Sequence, residues 1–102
     1  MAKCSIEVIK KTVNKDIQDM YANTDIVDGE CTWFQVGDKF IYEQGGTFPE
    51  GFCPWAWADL HREIEGTCLG ADFHWVKGDG TMISCCTDGF RPVVFRIQRI
   101  ED

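Results

Sequence analysis

Cysteine dominates the chemistry available to this chain. Two stretches place it beside recognisable structural signals: Gly51-Phe52-Cys53-Pro54-Trp55-Ala56-Trp57 and Cys85-Cys86-Thr87-Asp88-Gly89-Phe90-Arg91-Pro92-Val93. Proline suits a first helical position, where its missing amide hydrogen costs nothing, so Cys53 is expected at a helix N-cap or one residue before it. There, unpaired amides and the helix macrodipole favour a thiolate. A small apolar residue stapling the helix entrance would occupy the same position, and Phe52, Trp55 and Trp57 could either shield the sulfur from water or simply pack. Cys85 and Cys86 are neighbours on an expected strand, so their side chains point to opposite faces. Met82, Ser84 and Cys86 then share one face, and Thr81, Ile83 and Cys85 share the other. A bond between the two is disfavoured, because adjacent Cα atoms lie about 3.8 Å apart, below the usual disulfide range of about 4.4 to 6.8 Å.

The spacing from Cys31 to Cys53 to Cys85 or Cys86 is too wide for a local zinc or ferredoxin pattern, and the chain has no C-x-x-C. All of these cysteines fall near loops or element ends, however, where distant segments can converge at one end of a small sheet. The leading expectation is a thiolate site built from Cys31, Cys53 and either Cys85 or Cys86, suited to a soft metal or an iron-sulfur cluster. His74, between Phe73 and Trp75, is the candidate fourth ligand. Cys4 and Cys68 read as core, and His61 as a hydrogen-bonded boundary residue. A second expectation, from another class, is a binding module in which Trp55, Trp57, Phe73 and Trp75 line a pocket for a small ligand or partner segment. A third is a thiol-dependent redox protein using Cys53. Asp59 and Asp88 could pair with Arg62 or Arg91, and Arg91, beside the cysteine hairpin, could attract an anion or lower a thiol pKa. No Gly-rich phosphate loop, nucleophile elbow or histidine-carboxylate metal motif occurs, which disfavours a conventional hydrolase or nucleotide enzyme.

The elements that must position these residues follow from periodicity. Residues 4 to 13 alternate as a strand with Cys4, Ile6 and Val8 inward. Asn14 caps a short helix whose apolar stripe is Ile17, Met20 and Tyr21, ending near Asn23. Asp28-Gly29 is a turn before Cys31. Gly37-Asp38 feeds a strand through Phe40, Ile41 and Tyr42, and residues 44 to 52 are a loop rich in Gly. Pro54 opens a second helix with Trp57, Leu60, His61 and Ile64 on one face, closing between Gly66 and Gly70. After a turn at Asp79-Gly80, residues 81 to 87 pair with residues 92 to 100 as a hairpin, with Val93, Phe95 and Ile97 inward. The order β-α-β-α-β-β implies an α+β fold with a small, mainly antiparallel sheet, open or barrel-like.

The whole chain sets the remaining bounds. Its 102 residues make one domain, able to close a modest core without disulfide staples. The formal charge of -7 opposes binding to a nucleic-acid backbone or an anionic membrane surface. The opening residues interrupt their apolar run with Glu7, Lys10 and Lys11 and do not read as a signal peptide. A cytoplasmic location is therefore expected, with the six cysteines as thiols, ligands or core residues.

Phe52-Cys53-Pro54-Trp55-Ala56-Trp57-Ala58-Asp59, together with the stretch from Cys85 to Phe95, resembles an uncharacterised family of small cysteine-containing proteins found mainly in anaerobic bacteria and archaea. The resemblance spans nearly the whole chain. Cys31 matches the family's cysteine after a turn, and Gly37 and Asp38 match its Gly-Asp before the second strand, whereas Cys4 and Cys68 lie outside its pattern. The resemblance implies a common fold and an oxygen-sensitive setting, and it supplies no activity.

Overall fold

A computed structural model describes residues 2–100. Along the chain run β1 (Lys3–Lys11), α1 (Lys15–Tyr21), β2 (Lys39–Glu43), α2 (Pro54–Cys68), β3 (Thr81–Cys85) and β4 (Val93–Ile100). The fold is α+β. All strand pairings are antiparallel, in the order β2-β1-β4-β3. Two-residue alternation makes one face of this sheet apolar: Ile6 lies opposite Ile97 and Phe40, Val8 opposite Phe95, and Cys4 opposite Tyr42. The other face is largely polar, with an Arg96–Glu7 ion pair at 2.9 Å and a Thr81–Gln98 hydrogen bond at 2.6 Å.

The sheet stays open, which removes the barrel-like alternative. Closure would require β2 and β3 to meet, but these five-residue strands are the two opposite edges. The apolar face is covered instead by α2, which packs across β3, β4 and β1. Its buried residues are Ala56, Leu60, Ile64, Thr67 and Cys68, a stripe rotated away from the expected one. Trp57 is only half-buried at the stripe's edge, and His61 stacks on it with ring centroids 5.1 Å apart while remaining exposed. Burying Leu60 and Ile64 contributes about 1.5 to 3 kcal/mol each before chain entropy is counted. Gly66 lies inside the helix, and the helix end is closed by the Leu69 amide donating to the Glu65 carbonyl at 2.9 Å.

α1 departs further from the expected pattern. It ends at Tyr21, earlier than Asn23, and Met20 and Tyr21 are each 71% exposed. Its one buried residue is Gln18, whose amide is fully used by backbone partners. Seven residues make two turns, too few for a full apolar stripe. β1 and β4 also stop or start within two residues of the expected limits, and β1 carries a bulge between Val8 and Lys10 that turns Ile9 out of register.

Four phenylalanines finish the core. Phe34 packs on Phe40, Phe52 and Phe95 with ring centroids 5.9, 5.2 and 5.2 Å apart, and Phe40 and Phe52 meet at 5.0 Å. Phe34 and Phe52 belong to irregular segments, so their burial anchors two loops to the sheet. Those loops carry Cys31 and Cys53.

Candidate functional site

A cleft of about 550 Å3 opens where the N-terminus of α2 meets the start of β4. Four pieces of chain build it: Ile17 from α1, the segment Cys31 to Phe34, the helix entrance with Cys53, Trp55 and Ala56, and the connection from Cys86 to Arg91 with Val93 beyond it. Each piece is held for an identifiable reason.

The Cys31 segment is fixed at both ends. Phe34 is buried in the aromatic cluster, and upstream Gly29 exchanges two hydrogen bonds with Gln18: its amide donates to Oε1 at 3.0 Å, and Nε2 donates to its carbonyl at 2.9 Å. Gly29 has φ +81°, a left-handed conformation that glycine adopts without penalty. Trp33 then reaches across to the next wall, its indole Nε1 donating to the Gly51 carbonyl at 2.9 Å. Gly51, also at φ +81°, closes the turn that delivers Phe52 into the core and Cys53 to the helix N-cap.

The third wall, residues 86 to 91, is tied down along its length. The Thr12 amide and hydroxyl both donate to the Pro92 carbonyl, at 2.9 and 2.8 Å. The Asn14 amide donates to the Phe90 carbonyl at 2.9 Å, and its side chain to that of Gly89 at 2.6 Å. Asp59 on α2 accepts from the Thr87 amide at 2.8 Å and from its hydroxyl. Asp59 therefore docks the turn onto the helix rather than pairing with Arg62, which bonds Glu63. Asp88 does pair with Arg91, at 3.2 Å.

Cys31, Cys53 and Cys86, remote in sequence, thus face one cleft. Cys53 is the N-cap residue of α2 and makes no side-chain capping bond, leaving its sulfur uncommitted to the helix. Cys86 Sγ accepts a hydrogen bond from the Val93 amide at 3.3 Å. Cys85 is excluded by the strand alternation: it lies on the exposed face, and its thiol donates to the Cys86 carbonyl at 3.1 Å. Partial desolvation of its sulfur, then the neighbouring Cys86 and Asp59, push the Cys85 thiol pKa up.

His74 is also outside the cleft, exposed in the turn after α2 and set edge-on to Trp75. Among the described residues, no group of three or more His, Cys, Asp or Glu side chains is arranged to hold a metal ion. The three cleft sulfurs share a cavity without forming a ready-made ligand set. Of the expected aromatic lining, Trp55 is present, 70% exposed on the rim, while Trp57, Phe73 and Trp75 are elsewhere. Trp57 packs on Tyr42, Phe48 and Phe52, and Phe73 packs on Trp75. Trp33 and Phe90 take their place. Arg91 is on the wall.

No protein-family model, curated protein or solved structure matches the chain. The cleft is the feature of the molecule that bears on function. Its size falls within the range of small-molecule sites, about 300 to 1,000 Å3. Its walls are mainly apolar, with thiols, one hydroxyl pair from Thr32 and Thr87, and the Asp88–Arg91 pair as the polar side-chain groups. Such a surface favours desolvation of an apolar body and leaves a few fixed points to orient it. No helix among the described residues is long and apolar enough to cross a membrane.

Proposed function

We propose that this chain is a binding module whose cleft takes up a small, mainly apolar ligand against Trp33, Trp55 and Phe90, with the thiols of Cys31, Cys53 and Cys86 facing it. The observation that supports this reading is the cleft of about 550 Å3 onto which those side chains converge from three separate segments. Exposed tryptophans at the rim of an apolar cavity keep unfavourable contact with water that a ligand would relieve. The test is titration with the neutral fluorophore N-phenyl-1-naphthylamine. Saturable one-site binding is expected, weakened at least about tenfold by Trp55→Ala and changed by less than about twofold by Cys53→Ser. Absence of saturable binding, or equal binding by Trp55→Ala, overturns the reading.

The second reading is capture of a soft metal or iron-sulfur cluster by Cys31, Cys53 and Cys86, supported by the presence of three sulfurs on one cavity. It requires those side chains to close in further as the ion enters. Anaerobic purification with metal and sulfide analysis separates the two readings: colourless, metal-free protein after reconstitution counts against the cluster. A redox role for Cys53 predicts fast, selective alkylation of that thiol at neutral pH, and uniformly slow labelling would sink it. A reducing, cytoplasmic location, where the six cysteines would stay thiols, fits the oxygen-sensitive setting that the motif resemblance implies. The charge of -7 argues against nucleic acid and anionic membranes as partners.

A further inference from the structure

Arg91 carries recognition chemistry that an apolar ligand alone would leave unused. Its side chain is 24% exposed on the cleft wall, and Nε donates to Asp88 Oδ2 at 3.2 Å. Asp88 Oδ1 accepts from the Phe90 amide at 3.0 Å, so both carboxylate oxygens are engaged and the guanidinium is anchored along one edge. Among the described residues, neither Nη1 nor Nη2 has a hydrogen-bond partner. A guanidinium is always charged and presents its donors as a rigid planar fork, so the anchored edge pre-orients the free nitrogens. Arg99 shows what a purely structural arginine does in this fold. Its Nη1 donates to the carbonyls of Thr67 and Ala71 at 3.1 and 3.2 Å, and its Nη2 to Asp72 at 2.8 Å.

The cleft's charges narrow the choice of anion. Among the described residues, Asp88 and Arg91 are its only ionised side chains of fixed charge, and they neutralise each other. A phosphate dianion would set two negative charges against a single guanidinium with a carboxylate beside it. A carboxylate brings one charge and a planar pair of oxygens, the geometry that a guanidinium fork matches. We propose that the ligand is an aromatic or otherwise apolar carboxylate, its hydrocarbon body against Trp33, Trp55 and Phe90 and its carboxylate on the Nη atoms of Arg91. This rests on the binding-module reading above and adds the ligand's class to it.

The experiment compares two near-isosteric probes, 2-naphthoate and neutral 2-naphthamide, titrated at pH 7 with calorimetry and tryptophan fluorescence. Wild type is expected to bind the acid at least about tenfold more tightly than the amide. Arg91→Met should weaken the acid at least about tenfold more than the amide, removing the wild-type preference for the acid. Arg91→Lys, which keeps the charge and loses the fork, provides a second variant should the methionine fail to fold, and it too must lower the acid-to-amide ratio. Equal affinities in wild type, or an unchanged ratio in either folded variant, overturn the carboxylate proposal and leave the cleft standing. Failure of both probes to bind overturns the two together.

Discussion

Adjacent cysteines here have opposite surroundings. Cys86 turns its sulfur to the cleft and accepts from the Val93 amide, whereas Cys85 donates its thiol to the Cys86 carbonyl on the exposed side of β3. A ligand in the cleft should therefore shield Cys86 and leave its neighbour untouched. With 2-naphthamide at ten times its Kd, alkylation of Cys31, Cys53 and Cys86 by iodoacetamide should slow about tenfold, because only that fraction of sites stays open. The rate at Cys85 should be unchanged, as read by peptide mass spectrometry. Equal protection of Cys85 would mean that the probe sits somewhere else. Alternation alone separates the two residues in the sequence. Which of them faces a site depends on the side of the sheet that α2 covers, a tertiary fact that no local pattern contains.

At the scale of elements, Gln18 does the work that an apolar stripe was expected to do. Its amide bonds Gly29 at both backbone groups, and Nε2 also donates to the Phe90 carbonyl at 3.0 Å, so α1 ties together two walls of the cleft. Gln18→Ala would strand those buried groups and should cost about 1 to 3 kcal/mol in urea denaturation, together with a measurable loss of probe affinity. A change below about 0.5 kcal/mol with unaltered binding would show that the walls are held without it. The strands, α2 and the hairpin were legible because period-two alternation, Pro54 and the Asp-Gly signals agree with the tertiary arrangement. α1 itself is legible from Asn14 and the residues after it, but its buried face is not, because a buried glutamine satisfied by backbone looks the same in sequence as a solvated one. That Trp57 and Trp75 lie off the cleft has a related reason: an aromatic residue's type does not say whether it packs sideways or lines a cavity, and Trp33 and Phe90 lack any distinguishing local signal.

The molecule as a whole divides its sulfur chemistry between two ends of the sheet. Cys31, Cys53 and Cys86 lie by the N-terminus of α2, while Cys4 at the start of β1 and Cys68 at the end of α2 are buried at the far end. There, burial and then the adjacent Cys68 push the Cys4 thiol from 9.0 to about 12. Burial, followed by the hydrogen bond that its hydroxyl donates to Glu65, raises the buried Tyr42 from 10.0 to about 12. Both groups hold their protons more tightly in the folded chain than in the unfolded one. Their contribution to stability is therefore complete below pH 9 and declines as pH rises, from about 9 for Cys4 and about 10 for Tyr42, until both have titrated near 12. Urea midpoints should stay level between pH 7 and 9 and then fall. Cys4→Ala should lower stability at neutral pH by opening a small cavity but flatten the first part of the alkaline decline, and Tyr42→Phe should flatten the part above 10. An alkaline slope in the double variant as steep as in wild type would show that these two protons are not what the far end of the core protects.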